Sequence, residues 1–138
     1  NCVADGAHFD VFELMDAAMM TKKGRVFRIF RRLKSEGMQP FELMRAVNYV
    51  LNQLSNIIID IDDGQSVKQA MQKARIWSNK QRMTGDFLSS RSKKNIDDLI
   101  HQACEVDKTI KGVKKGNPWD EVGNLLLMLS SKQHNAKR

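Results

Sequence analysis

Between Pro40 and about Asp60, apolar residues recur every three or four positions: Leu43, Met44, Val47, Val50, Leu51, Leu54, Ile57 and Ile58. At about 100° per residue they fall on one broad face, with Glu42, Arg45, Asn48, Asn52, Gln53 and Asn56 on the other. The run Ile57–Ile59 has strand propensity, but it continues the helical stripe, so the stripe decides. No segment of the chain alternates convincingly with period two, as a half-buried strand must. A chain of 138 residues supports one domain with one core. The pattern predicts an all-α fold, an antiparallel bundle of six to seven helices with short connections.

The remaining helices follow from punctuation. Asp10 and Glu13 form an Asp-x-x-Glu signature that predicts a first helix over about Val11–Met20, with residues 1–8 as a linker leading in. Arg25 to Glu36 is predicted helical. Val26, Ile29, Phe30 and Leu33 lie in its apolar stripe, and Arg25, Arg28, Arg31 and Arg32 lie opposite. Gly37 ends that helix and Pro40 opens the next. Asp60–Gln65 reads as an acidic turn. Ser66 caps a short helix to about Ala74, the chain bends around Arg75–Trp77, and a helix continues to about Ser89. Ser92 caps a sixth helix, carried by Ile96, Leu99, Ile100, Ala103, Val106 and Ile110 and stopped by Gly112. Asn117 and Pro118 open a seventh, whose apolar face is Trp119, Val122, Leu125, Leu126 and Leu129. Residues 132–138 have no periodicity and read as a mobile basic tail.

The net charge is +7, which suggests a polyanionic neighbour. Lys22–Lys34 carries seven cations and no acid, and Lys68–Arg82 carries five and no acid. A solvated face and contact with phosphate are the two readings of each run. The aromatic residues mostly sit in apolar stripes, so no stacking platform for single strands is expected. Trp77 and Trp119 read as anchors in the core or at an interface. No apolar run of about 18 residues is present to cross a membrane as a helix. Cys2 and Cys104 are too few for a disulfide framework and read as free thiols of a reducing cytoplasm.

Catalytic chemistry finds little support. Gly112–Asn117 lacks the spacing of a phosphate-binding loop. Asp60-Ile61-Asp62-Asp63-Gly64 resembles a calcium loop only briefly, because Met71 stands where a bidentate Glu belongs. His101 and Cys104 share a helix at i and i+3, but two ligands do not make a zinc site. No enzyme activity, metal or cofactor is expected of this chain.

Three blocks then carry a family resemblance. Val3 to Ala18 (VADGAHFDVFELMDAA) resembles the start of the last domain of the delta subunit of the bacterial clamp loader, part of DNA polymerase III holoenzyme. Arg75-Ile76-Trp77, followed by Asn79-Lys80-Gln81-Arg82, resembles that family's Arg-aliphatic-Trp block. Asp107 to Gly112 and Pro118-Trp119-Asp120-Glu121, followed by Leu125–Leu127, resemble its closing signature. The order and spacing of the blocks match as well.

The resemblance implies a division of the chain and a job. Residues 1–8 would lead from an upstream AAA+-like lid domain, and 9–131 would be a helical collar domain. The collar packs against equivalent domains of the other loader subunits and closes a five-membered ring, which loads the sliding clamp onto primed DNA in the bacterial cytoplasm. Delta contacts the clamp through its first domain, which this chain would lack, and has no working ATP site. The chain is then expected to be a piece of a longer protein, and the implied partners are loader subunits, the clamp and primer–template DNA. A free-standing basic helical module that binds nucleic acid is the alternative.

Within this frame Arg75, Trp77, Asp107 and Trp119 are structural motif residues. Lys114 and Lys115, in the last interhelical loop, are candidates for DNA contact, with a plain solvated turn as the other reading. Asp107 falls inside the apolar stripe of its helix, and a buried carboxylate needs a partner. Arg75 is the expected one and Arg82 the second choice, unless Asp107 reaches water at the stripe's margin.

Overall fold

A computed structural model describes residues 2–131 of the chain, with side chains from Phe9 onward. Among these residues there are seven helices and no strand: α1 (Cys2–Met19), α2 (Lys23–Ser35), α3 (Pro40–Asp62), α4 (Val67–Lys73), α5 (Ser78–Ser89), α6 (Lys93–Ile110) and α7 (Pro118–Leu129).

α3 is the axis of the bundle. It packs most extensively on α6, and also on α4, α1 and α7. Its stripe Leu43, Met44, Val47, Leu51 and Leu54 is almost wholly removed from water. It meets Leu14 and Met15 of α1, Leu33 of α2, Leu99 and Val106 of α6, and Leu125, Leu126 and Leu129 of α7 in one core. Each such side chain contributes roughly 1.5–3 kcal/mol by leaving water. A satellite cluster of Ile57, Ala70 and Met71 fastens the far end of α3 to α4. None of the described helices is long and apolar enough to cross a membrane.

The helix starts obey their local chemistry. The Gln69 N–H donates to Ser66 Oγ at 3.0 Å, the Asn95 N–H to Ser92 Oγ at 3.1 Å, and the Asp120 N–H to Asn117 Oδ1 at 3.1 Å. Pro40 and Pro118 sit in the first turns of α3 and α7. Gly37 and Gly112 end α2 and α6 with φ of 96° and 79°.

One helix start departs from expectation. α1 is helical from Cys2, so the predicted start at Val11 is displaced and the backbone from Cys2 through His8 is helix. Asp10 and Glu13 are mid-helix residues, and their carboxylates accept from α2 instead of capping α1. Asp10 pairs with Arg32 at 2.9 Å and Glu13 with Arg25 at 3.1 Å. The tail predicted for 132–138 lies outside the described residues.

Candidate nucleic-acid interface

The link between α4 and α5 is short, and its backbone is held on several sides. α4 ends in a Schellman arrangement. The Ile76 N–H donates to the Met71 carbonyl at 3.0 Å and the Arg75 N–H to the Gln72 carbonyl at 3.0 Å. Two glutamines bind the link's carbonyls from either side: Gln53 Nε2 of α3 donates to Ala74 O, and Gln81 Nε2 of α5 donates to Ile76 O, each at 3.0 Å. The position that glycine usually takes in this motif is filled by Arg75, at φ 63°. A non-glycine side chain there costs roughly 1–2 kcal/mol, and strain of this kind persists only where the surroundings enforce it.

This frame presents Trp77. The indole is 74% exposed, at the N-cap of α5. Of the two readings, an anchor in the core or at an interface, only the core one is excluded, and one aromatic does stand outside the apolar stripes. Trp77 lies in the link, before the first residue of α5, so the stripe of neither helix carries it into the core. Arg75, two residues before it in the link, is exposed, and so is Arg82 on α5. Lys80 reaches across to Asp16 of α1 and ties α5 to that helix. Phe9 and Phe12 on α1, and Met20 just past its end, are 63%, 42% and 43% exposed, on the side that also carries Asp16. An exposed indole flanked by cations on a stiff frame is what a base of single-stranded nucleic acid needs: a flat π-surface to stack on and charge for the adjacent phosphates.

The loop between α6 and α7 is electrostatically quieter than its sequence. Lys114 Nζ lies 3.4 Å from Glu105 Oε1, and Lys108 Nζ lies 3.0 Å from Oε2 of the same carboxylate. The hydrogen bond from Lys108 holds the Glu105 carboxyl below the usual range against the opposing effect of desolvation, with the charge of Lys108 and a weaker contribution from Lys114 helping. Lys115 is exposed and has no acidic partner among the described residues.

Asp107 does not pair with Arg75 or Arg82. It is half-buried at the margin of the α6 stripe, and its Oδ2 accepts from Asn48 Nδ2 of α3 at 3.2 Å. The angular argument placed it too centrally: α3 covers Ile96, Leu99, Ala103 and Val106 and leaves the next position around the helix at the edge. Asp107→Ala is accordingly expected to cost under ~1 kcal/mol in urea denaturation, and a loss above ~3 kcal/mol would contradict this placement. Trp119, in contrast, is an anchor. Its ring meets Phe30 edge-on at 5.5 Å between centroids, under the ammonium of Lys34. His101 and Cys104 are both exposed, and among the described residues no three metal-ligating side chains converge.

With this geometry in view, the likenesses to known proteins are informative. Residues 11–136 match the family described as "Processivity clamp loader gamma complex DNA pol III C-term". The chain is 28% identical over 130 residues to the DNA polymerase III subunit delta of Escherichia coli K12, covering 94% of this chain and 38% of that protein. The fold superposes on the Bacillus subtilis DNA clamp loader delta protein with a TM-score of 0.68 at 18% identity, covering 88% of this chain and 35% of that one. The chain thus spans little more than a third of either relative. It belongs to the family of C-terminal domains of the delta subunit of the DNA polymerase III clamp loader.

Proposed function

We propose that this domain is a collar module, which holds a delta subunit in the five-membered ring that loads the sliding clamp onto primed DNA. In this reading the clamp is contacted by an upstream part of the protein, ATP is hydrolysed by other subunits, and the domain contributes contacts and no chemistry. Beyond family membership, one observation carries it. The outward face of α3, the axis of the bundle, keeps Phe41, Tyr49 and Ile59 at 52%, 54% and 47% exposure. These residues share one side of the helix with Arg45, whose guanidinium lies over the Phe41 ring at 5.8 Å to the centroid. Aromatic residues and Arg, left out of a well-packed core and set on a rigid element, are the usual anchors of protein interfaces.

Phe41→Ala with Tyr49→Ala in the full-length subunit is expected to weaken its assembly with the other loader subunits about tenfold, as measured by sedimentation. Assembly at native affinity would remove α3 from the ring contacts.

The geometry around Trp77 favours a second role inside the same complex, the stacking of a base from a single-stranded stretch of DNA. Lys114 and Lys115 remain a proposed further DNA contact. Lys115 is the stronger member, because Lys114 is already engaged by Glu105.

A further inference from the structure

We infer that the outward face of α2 is a docking strip for the sugar–phosphate backbone of duplex DNA, read without regard to sequence. α2 buries Val26, Ile29, Phe30 and Leu33. The side directly opposite carries Gly24, Arg28, Arg31 and Ser35, all exposed. The other cations of the helix are differently placed. Arg25 and Arg32 turn toward α1, where Glu13 and Asp10 hold them at 3.1 and 2.9 Å. Lys34 turns toward α7 and lies over Trp119. That leaves Arg28 and Arg31, on adjacent turns, with no acidic partner among the described residues. Lys22, at the N-cap, and Lys23, the first residue of α2, add two exposed cations at the same end of the helix. Over its 13 residues α2 spans about 20 Å, with no acid in its own sequence.

The composition of this face selects the occupant. A protein partner would look for an apolar anchor, and Gly24, Arg28, Arg31 and Ser35 supply none. A single strand would look for an aromatic platform, and none stands on this face, since Phe27 is half-buried at its flank. Phosphate asks only for donors and charge, and the planar guanidinium fork matches two phosphate oxygens at once. Glycine and serine at either end of the arginine pair leave room for a broad polyanion to approach. The proposal is separate from the stacking role of Trp77, which belongs to another face and another form of DNA.

The test uses the 138-residue chain and a labelled 20-base-pair duplex in fluorescence anisotropy, with salt varied from 50 to 200 mM. Arg28→Gln with Arg31→Gln is compared with Lys68→Gln with Lys93→Gln, which removes the same two charges from exposed sites on other helices. Circular dichroism confirms that both variants keep their helix content. The arginine variant is expected to lose about tenfold in affinity at 50 mM salt, and its slope of log affinity against log salt is expected to fall by about 2. The lysine variant is expected to lose less than about threefold. A milder pair, Arg28→Lys with Arg31→Lys, keeps the charge and removes the fork, and should fall between native and the glutamine variant. Equal losses in the arginine and lysine variants would reduce the effect to net charge and overturn the proposal. So would an unchanged salt slope, or native duplex binding by the arginine variant.

Discussion

Arg91→Ala is expected to lower the stability of this domain by about 2–4 kcal/mol, a large effect for a residue outside the apolar stripes. Arg91 sits between α5 and α6 and is only 7% exposed. Its Nη2 donates to the Leu129 carbonyl, at the end of α7, at 2.8 Å, and its guanidinium lies 4.4 Å from the centre of the Phe87 ring. Truncation strands a buried carbonyl, at roughly 1–3 kcal/mol. It also removes a cation from the negative end of a helix, about 0.3–1 kcal/mol, and a desolvated cation–π contact, about 0.5–2 kcal/mol. The opposing effect is real. Nε and Nη1 find no partner among the described residues, and burial pushes the guanidinium pKa down by desolvating the charge. Relief of that cost offsets part of the loss, which is why the expected total is below the sum of the gains. Arg91→Met separates the two, because it refills the space along the stem without a charge. Methionine is expected to recover at least about 1 kcal/mol relative to alanine in urea denaturation. An alanine variant as stable as the native domain would show that the buried charge is a net liability.

What the sequence made legible was whatever local chemistry decides. Ser66, Ser92 and Asn117 cap the helices they were expected to cap, because the donor–acceptor pair lies within four residues. α3 stays helical through Ile57–Ile59 because burial of Ile57 on the stripe outweighs strand propensity at three positions. Asp10 and Glu13 were misread for the complementary reason. A capping signature and a pair of acids aimed at Arg32 and Arg25 look identical until α2 is folded back on α1. For Trp77 residue type alone left core and interface both open, and only the folded link between α4 and α5 shows the ring outside the core. Asp107 failed by angle: the stripe of α6 is as wide as the surface α3 covers, and that width is a tertiary fact.

Trp77→Ala is expected to weaken binding of a labelled oligo-dT by about 1–3 kcal/mol, while thermal unfolding shifts by less than the equivalent of ~0.5 kcal/mol. The two halves of this expectation come from the same number. An indole that is 74% exposed buries little on folding and keeps its surface available for a base. Trp77→Phe should retain most of the affinity, since a smaller ring still stacks, whereas loss of a hydrogen bond from the indole would affect both variants alike. Arg75→Gly is the companion measurement. Glycine relieves the left-handed backbone at φ 63°, worth roughly 1–2 kcal/mol, against roughly 0.5–1 kcal/mol of added freedom in the unfolded chain. The net expectation is a gain of up to about 1.5 kcal/mol in stability. The same change removes a cation beside the stacking face, so the salt slope for the single strand should fall by about 0.7. A domain that becomes more stable and binds more weakly is the signature of strain kept for a purpose. If Arg75→Gly stabilises while single-strand binding survives both it and Trp77→Ala intact, the α4–α5 link is scaffold only and the stacking role is wrong.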